Sequence, residues 1–378
     1  MSLSLYIHIP FCIKKCNYCD FVSYPHNSGA VDKYLQGLER EMELVARKLS
    51  PAGKTLKTIF LGGGTPTSLS ANQLDNILEK TRAYFTWEAG IEVTVEANPG
   101  TVDREKLTVL RTAGANRLSL GVQSFQEPLL KNIGRIHTTA EIYSAVELAR
   151  QAGFANLNLD LMYALPGQTM EDWTDTLDKA LALGVEHISA YSLKLEPGTP
   201  FYQAWREGKL IPCDQDLEAD MYQEAISRLT TAGFYHYEIS NFARPGRECR
   251  HNLTYWLLEE YLGLGPAAHS LIGGHRLANL GSLQAYIAFL DNGQRPLEDD
   301  QILTERDARA EFMFLGLRLT RGVEKTRFQH RFGIDLTQTY GKAIAKLVAL
   351  NLLEETPELI RLTPKGLALG NEAFEAFL

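Results

Sequence analysis

Tyr6-Ile-His-Ile-Pro-Phe-Cys12-Ile-Lys-Lys-Cys16-Asn-Tyr-Cys19 sets both the architecture and the chemistry expected of this chain. Leu5 to Ile9 alternates and stops at Pro10, so it reads as a strand with the cysteines just past its end. Thiolates are soft donors that suit iron–sulfur clusters and zinc. Closed structural zinc sites take four ligands, usually as two separated pairs, so a compact trio favours the cluster. Three thiolates hold three irons of a cubane and leave the fourth open to another ligand. A disulfide would leave one of the three thiols over, and a free redox trio this crowded would oxidise readily.

The 378 residues can bury a large core and allow more than one domain. Apolar content of 45% and charged content of 22% are ordinary for a soluble globular protein. A net charge of −8 argues against a general nucleic-acid surface. No uncharged apolar window reaches the roughly eighteen residues of a membrane span, and no basic region followed by an apolar run marks a signal peptide. Five cysteines, three of them in one loop, fit a reducing cytoplasm. Peripheral membrane association and a homodimer are compatible with the residues but not demanded by them.

Downstream, apolar periodicity alternates between strand and helix. Strands are expected near 57–61, 91–97, 116–120, 156–161 and 186–191, and helices near 30–49, 71–83, 103–113, 139–152 and 170–183. With the first strand this makes an α/β chain whose six strand–helix alternations predict parallel strands and right-handed crossovers. A closed eight-unit barrel needs more chain. Function should collect on the loops after the strands' C-terminal ends. Beyond a helix at 214–232, Phe234 to Ile239 is a strand that can extend the sheet. The polar stretch 292–304 reads as a boundary, giving units 1–230, 231–300 and 301–378. The last unit, helices followed by a small hairpin, reads as an α+β winged-helix-like module, without the dense basic helix face that DNA binding needs.

The cysteine spacing, with Tyr18 before the last cysteine, resembles the cluster loop of radical S-adenosylmethionine (SAM) enzymes. The longer string from Tyr6 to Cys12 is similar to that of oxygen-independent coproporphyrinogen oxidases and their relatives. The resemblance implies an open, partial (β/α)6 barrel with a 4Fe-4S cluster on Cys12, Cys16 and Cys19. It also implies SAM chelated at the open iron and cleaved by one electron to a 5′-deoxyadenosyl radical.

Other positions gain meaning from the same likeness. Gly63, Gly64 and Thr65 follow a strand directly; alone they are as readily a tight turn, and by resemblance they meet the SAM ammonium group. Glu96 ends a strand, where a carboxylate can face a cation or simply be solvated. Gln123 lies in a matching Gly121-Val-Gln-Ser-Phe125 segment. Arg135 offers a bidentate fork for a carboxylate. Asp160 stands in an apolar run, where it is costly without a partner; the resemblance gives it the SAM ribose. Ser192 aligns loosely with another contact. Tyr6 and Tyr18 carry over too, although Tyr6 is equally a core aromatic by type. His8 reads as a structural histidine.

Members that oxidise coproporphyrinogen carry a further cysteine where this chain has Phe21, and an extension before the cluster loop. Arg250-His251-Asn252-Leu-Thr-Tyr255-Trp256 instead resembles the HNxxYW motif of HemW-type haem chaperones. A neutral imidazole is a good axial ligand of haem iron, so His251 is the expected iron ligand. Tyr255 and Trp256 are then covers for the macrocycle, and Asn252 is a group that could orient the ring. On residue type alone, a histidine beside aromatics is more often core. Cys249 reads as a small buried residue. The function implied is delivery of haem to haem-dependent apoproteins, respiratory ones among them. The alternative is radical SAM decarboxylation of coproporphyrinogen III.

Overall fold

The computed structural model describes residues 2–378. Six strands, β1 (Leu3–Ile9), β2 (Thr55–Gly63), β3 (Thr86–Ala97), β4 (Arg117–Gln123), β5 (Leu157–Tyr163) and β6 (His187–Ser192), lie side by side in chain order, each parallel to the next. Helices Ser28–Lys48, Ala71–Tyr84, Arg104–Thr112, Thr139–Gln151 and Met170–Ala182 make the crossovers. Their starts are written in the sequence: Ser70, Thr138 and Thr169 form capping boxes with Gln73, Glu141 and Asp172, and Asp103 caps with its carboxylate. All seven residues of β4 are buried, those of both faces alike.

The sheet grows at both edges to twelve strands. Beside β6 lie Asn241–Ala243 and then Tyr235–Glu238, both antiparallel, so the strand expected near 234–239 does extend the sheet. Beside β1, Tyr261–Leu264 adds a parallel strand, followed by antiparallel His269–Ile272, His275–Asn279 and Leu297–Ile302. The strand order never returns on itself, as expected of an open barrel.

The polar stretch around 297–302, read as a connection, is the outermost strand. Glu298, Asp299 and Asp300 are poor strand formers but useful at an edge, where charge discourages pairing with another chain. A short helix, Glu127–Asn132, also went unread; its six residues are too few to show periodicity.

A second apolar core holds the C-terminal part. Phe312, Met313, Phe328, Ile344, Leu347 and Ile360 pack together with Tyr261 and Leu271 of the large sheet and with Leu258 in the turn before it. Its helices Glu305–Gly316, Lys325–Phe332 and Leu336–Ala349 accompany a three-stranded sheet of Val323–Glu324, Leu359–Leu362 and Leu353–Glu355.

One buried carboxylate ties the first helix to the sheet's added strands. Glu41 is fully buried and accepts from Gly265 N–H (2.8 Å), Asn279 Nδ2 (2.6 Å) and Tyr286 Oη (2.6 Å). Glu41→Ala strands three buried donors and should cost roughly 3 kcal/mol, read as a lower urea midpoint with unchanged slope.

Candidate functional site

The cysteine loop is an excursion with its ends fastened. Past Pro10, Phe11–Cys12 pairs with Tyr24–Pro25, closed by Tyr24 N–H to Pro10 O (2.8 Å) and His26 N–H to Cys12 O (2.9 Å). His8 Nε2 meets Val22 O at 2.8 Å, a structural role as expected. On the far side, Asn17 N–H donates to Ile133 O (3.0 Å) and Asn17 Nδ2 to Asn132 O (2.8 Å). The short unread helix therefore steadies the loop.

Cys12, Cys16 and Cys19 are unpaired, the first buried and the others half-buried. They face a cavity of about 530 Å³ that also receives Tyr18, Gly63, Gly64, Thr65, Glu96, Gln123, Arg135, Asp160 and Ser192. These expected residues come from seven separate segments of chain. Thr65 Oγ1 lies 3.5 Å from Cys12 Sγ, and Arg135 Nη1 lies 3.6 Å from Cys16 Sγ. Burial raises the Cys12 thiol and pushes Cys19 up to about 11. Burial likewise raises the Tyr18 phenol.

The glycines are needed for close approach. A Cβ on Gly64 would stand 2.7 Å from Phe11 O and 2.9 Å from Ile9 O. Gly63 has φ +109° and lies against the His8 ring. Its N–H donates to Glu96 Oε2 at 3.2 Å. Burial, with Asp160 adding repulsion, lifts the Glu96 carboxyl to about 8. Asp160 is raised by burial against the hydrogen bonds of Asn158 Nδ2 (2.8 Å) and Ser119 Oγ (3.1 Å). Gln123 holds a left-handed backbone, φ +68°, and accepts from Tyr191 Oη at 2.8 Å.

A second cavity, about 260 Å³, adjoins the first and shares Phe21, Gly63, Glu96 and Asp160 with it. Tyr6, His251, Asn252 and Tyr255 line it. His251 lies in helix Arg250–Trp256, whose first N–H groups meet a carboxylate from β3. Glu92 accepts from Arg250 N–H (3.1 Å) and His251 N–H (3.0 Å). The ring is fully buried, with Nδ1 2.8 Å from Thr58 Oγ1 and Nε2 2.8 Å from Tyr255 Oη. Burial, then the charges of Arg117 and Lys57, push the imidazole down to about 3. It is therefore neutral at ordinary pH, the form that binds metals.

Two expectations about this motif change. Thr58 and Tyr255, not Asn252, hold the imidazole. Trp256 is absent from the cavity wall and lies under Arg318, whose guanidinium carbon is 4.4 Å from the ring centroid. Cys249 is buried as expected, with its thiol pushed up to about 12 by burial.

Sequence reasoning missed Thr58, Glu92, Asn98, Arg117 and Tyr191. Asn98 bridges the site, donating to Thr65 Oγ1 (3.0 Å) and accepting from Arg135. A signal existed for several of these. Glu92, Thr94 and Glu96 occupy alternate positions of β3, as do Arg117 and Ser119 of β4 and Asn158 and Asp160 of β5. Polar residues recurring every second position in buried strands mark a polar inner face.

The radical SAM superfamily profile matches residues 6–180, and the HemN C-terminal domain profile matches 303–369. The chain is 44% identical over 377 residues to the heme chaperone HemW of Bacillus subtilis, covering 99% of each. It is 35% identical over 384 residues to the heme chaperone HemW of Escherichia coli, covering 100% of this chain and 98% of that one. Its fold is similar to the solved coproporphyrinogen III oxidase HemN of Escherichia coli, a radical SAM enzyme. That likeness has TM-score 0.88 at 27% identity, over 100% of this chain and 90% of that one.

The Glu96 carboxyl makes a test in the apoprotein. Its folded value near 8 lies above the ordinary 4.5, so the fold favours the neutral form. That stabilisation is full below pH 4.5 and is lost as pH rises toward 8. Wild type should therefore lose more stability than Glu96→Gln between pH 5 and pH 8.5, measured by urea midpoints; parallel loss in both would show that Glu96 titrates normally.

Proposed function

Because this chain belongs to the heme chaperone HemW family of radical SAM proteins, we propose that it binds haem and passes it to haem-dependent apoproteins. We further propose that it carries a 4Fe-4S cluster and SAM in the larger cavity. The observation that carries this reading is the neutral, fully buried imidazole of His251, in a cavity that shares Gly63, Glu96 and Asp160 with the cavity of the three thiols.

The donor set suits the cluster. Three unpaired thiols face one cavity, and thiolates are the soft donors that iron–sulfur clusters take. When bound, the cluster supplies one electron and an iron corner open to a chelating ligand. The chain's own groups suit SAM. Arg135 can take a carboxylate, Glu96 with the Gly63–Thr65 turn an ammonium group, and Asp160 a ribose. Tyr191 steadies Gln123, and Asn98 steadies Arg135 and Thr65.

His251 suits haem iron as a ligand oriented from its other nitrogen by Thr58. Tyr255 Oη now occupies Nε2, so for that nitrogen to serve as the ligand the hydroxyl would have to move aside. The smaller cavity alone falls below the roughly 300–1,000 Å³ of small-molecule sites, so the macrocycle needs the space that joins it to the larger one. Phe21 stands at that junction, 62% exposed, where the oxidising relatives carry a cysteine; this supports a carrier over a porphyrinogen oxidase. The five unpaired cysteines support a reducing, cytoplasmic setting. Among the described residues no helix is long and apolar enough to cross a membrane.

Anaerobic reconstitution with iron and sulfide, followed by absorption spectra with and without haem, tests the reading. A Soret shift is expected, lost or weakened about tenfold or more in His251→Ala and retained in Tyr255→Phe. Equal haem binding by His251→Ala would refute the ligand. Conversion of coproporphyrinogen III to protoporphyrinogen under the same conditions would favour the oxidase instead.

A further inference from the structure

Building on the haem reading above, we propose that Arg117 anchors a propionate carboxylate of the haem bound beside His251. Arg117 opens β4 and is only 2% exposed, yet its side chain lines the His251 cavity. Its Nε is sealed from solvent without a hydrogen-bond partner among the described residues. A buried cation left short of partners is costly. A guanidinium presents a planar fork of donors, and a carboxylate is the group that matches it bidentately.

The acidic groups around Arg117 are already committed elsewhere. Glu92 accepts from the first N–H groups of the His251 helix. Asp160 accepts from Asn158 and Ser119. Glu96 accepts from Gly63 N–H and is mostly protonated near neutral pH. A ligand carboxylate would therefore meet a cation whose fork no carboxylate of the chain has filled. The anionic groups of haem are its propionates, so an iron bound to His251 and a propionate on Arg117 would orient the macrocycle at two points. Neither residue achieves this alone, and Lys at 117 would bring charge without the fork.

The test compares haem with haem dimethyl ester, whose propionates are capped. Both are titrated into the full, cluster-reconstituted chain and followed at the Soret band. Wild type should bind haem about tenfold or more tighter than the ester. In Arg117→Gln that preference should fall to near unity with ester affinity unchanged, and Arg117→Lys should restore it only in part. The ester comparison on unaltered protein stands even if a variant misfolds. Equal affinities in wild type would overturn the Arg117 anchor while leaving the haem reading intact; a preference undiminished in Arg117→Gln would do the same. No Soret response to either compound in wild type would overturn the haem reading and the anchor together.

Discussion

The inner face of this parallel sheet is largely buried, so a polar side chain placed there is costly unless the fold or a ligand partners it. This constraint shapes the whole site. Asp160 is held by Asn158 and Ser119, and Asn158 reaches on to His187, whose Nε2 lies 2.8 Å from Tyr237 Oη. That hydroxyl accepts from Cys249 N–H, the residue before the His251 helix. Glu92 closes the set by capping that helix. Groups on β3, β5 and β6 thus position a helix that arrives more than fifty residues later in the chain.

The same constraint decides protonation. Burial lifts Glu96 to about 8 and lowers His251 to about 3, so each prefers its neutral form. A neutral imidazole is ready for a metal without first shedding a proton. A neutral carboxyl becomes a carboxylate when a cationic ligand meets it. The fold thus prepares two cavities with opposite needs while leaving them joined through Gly63, Glu96 and Asp160.

Much of this is legible in the sequence. The six strands, their crossover helices and caps follow from short-range rules, and each element lies within a few residues of its expected place. The thiol trio was legible because its residues are adjacent in sequence. Leu297–Ile302 was not, because its acidic residues suit an edge and edges are defined only by what pairs beside them. Thr58 and Glu92 stayed hidden for a related reason: each touches His251 across more than 150 residues, and no local pattern encodes such a contact. Trp256 shows the converse, since a motif names a residue without saying which way a short helix turns it.

On the reading proposed here, one buried imidazole, kept neutral by its surroundings, would be the protein's hold on haem iron. Pulsed EPR of the ferric haem-loaded chain, grown with ¹⁵N-histidine, tests it most directly. A strong coupling from one imidazole nitrogen to the iron, absent in His251→Ala, is the predicted result. A coupling that survives that substitution, or an iron spectrum with a sulfur ligand and no histidine nitrogen, would contradict it.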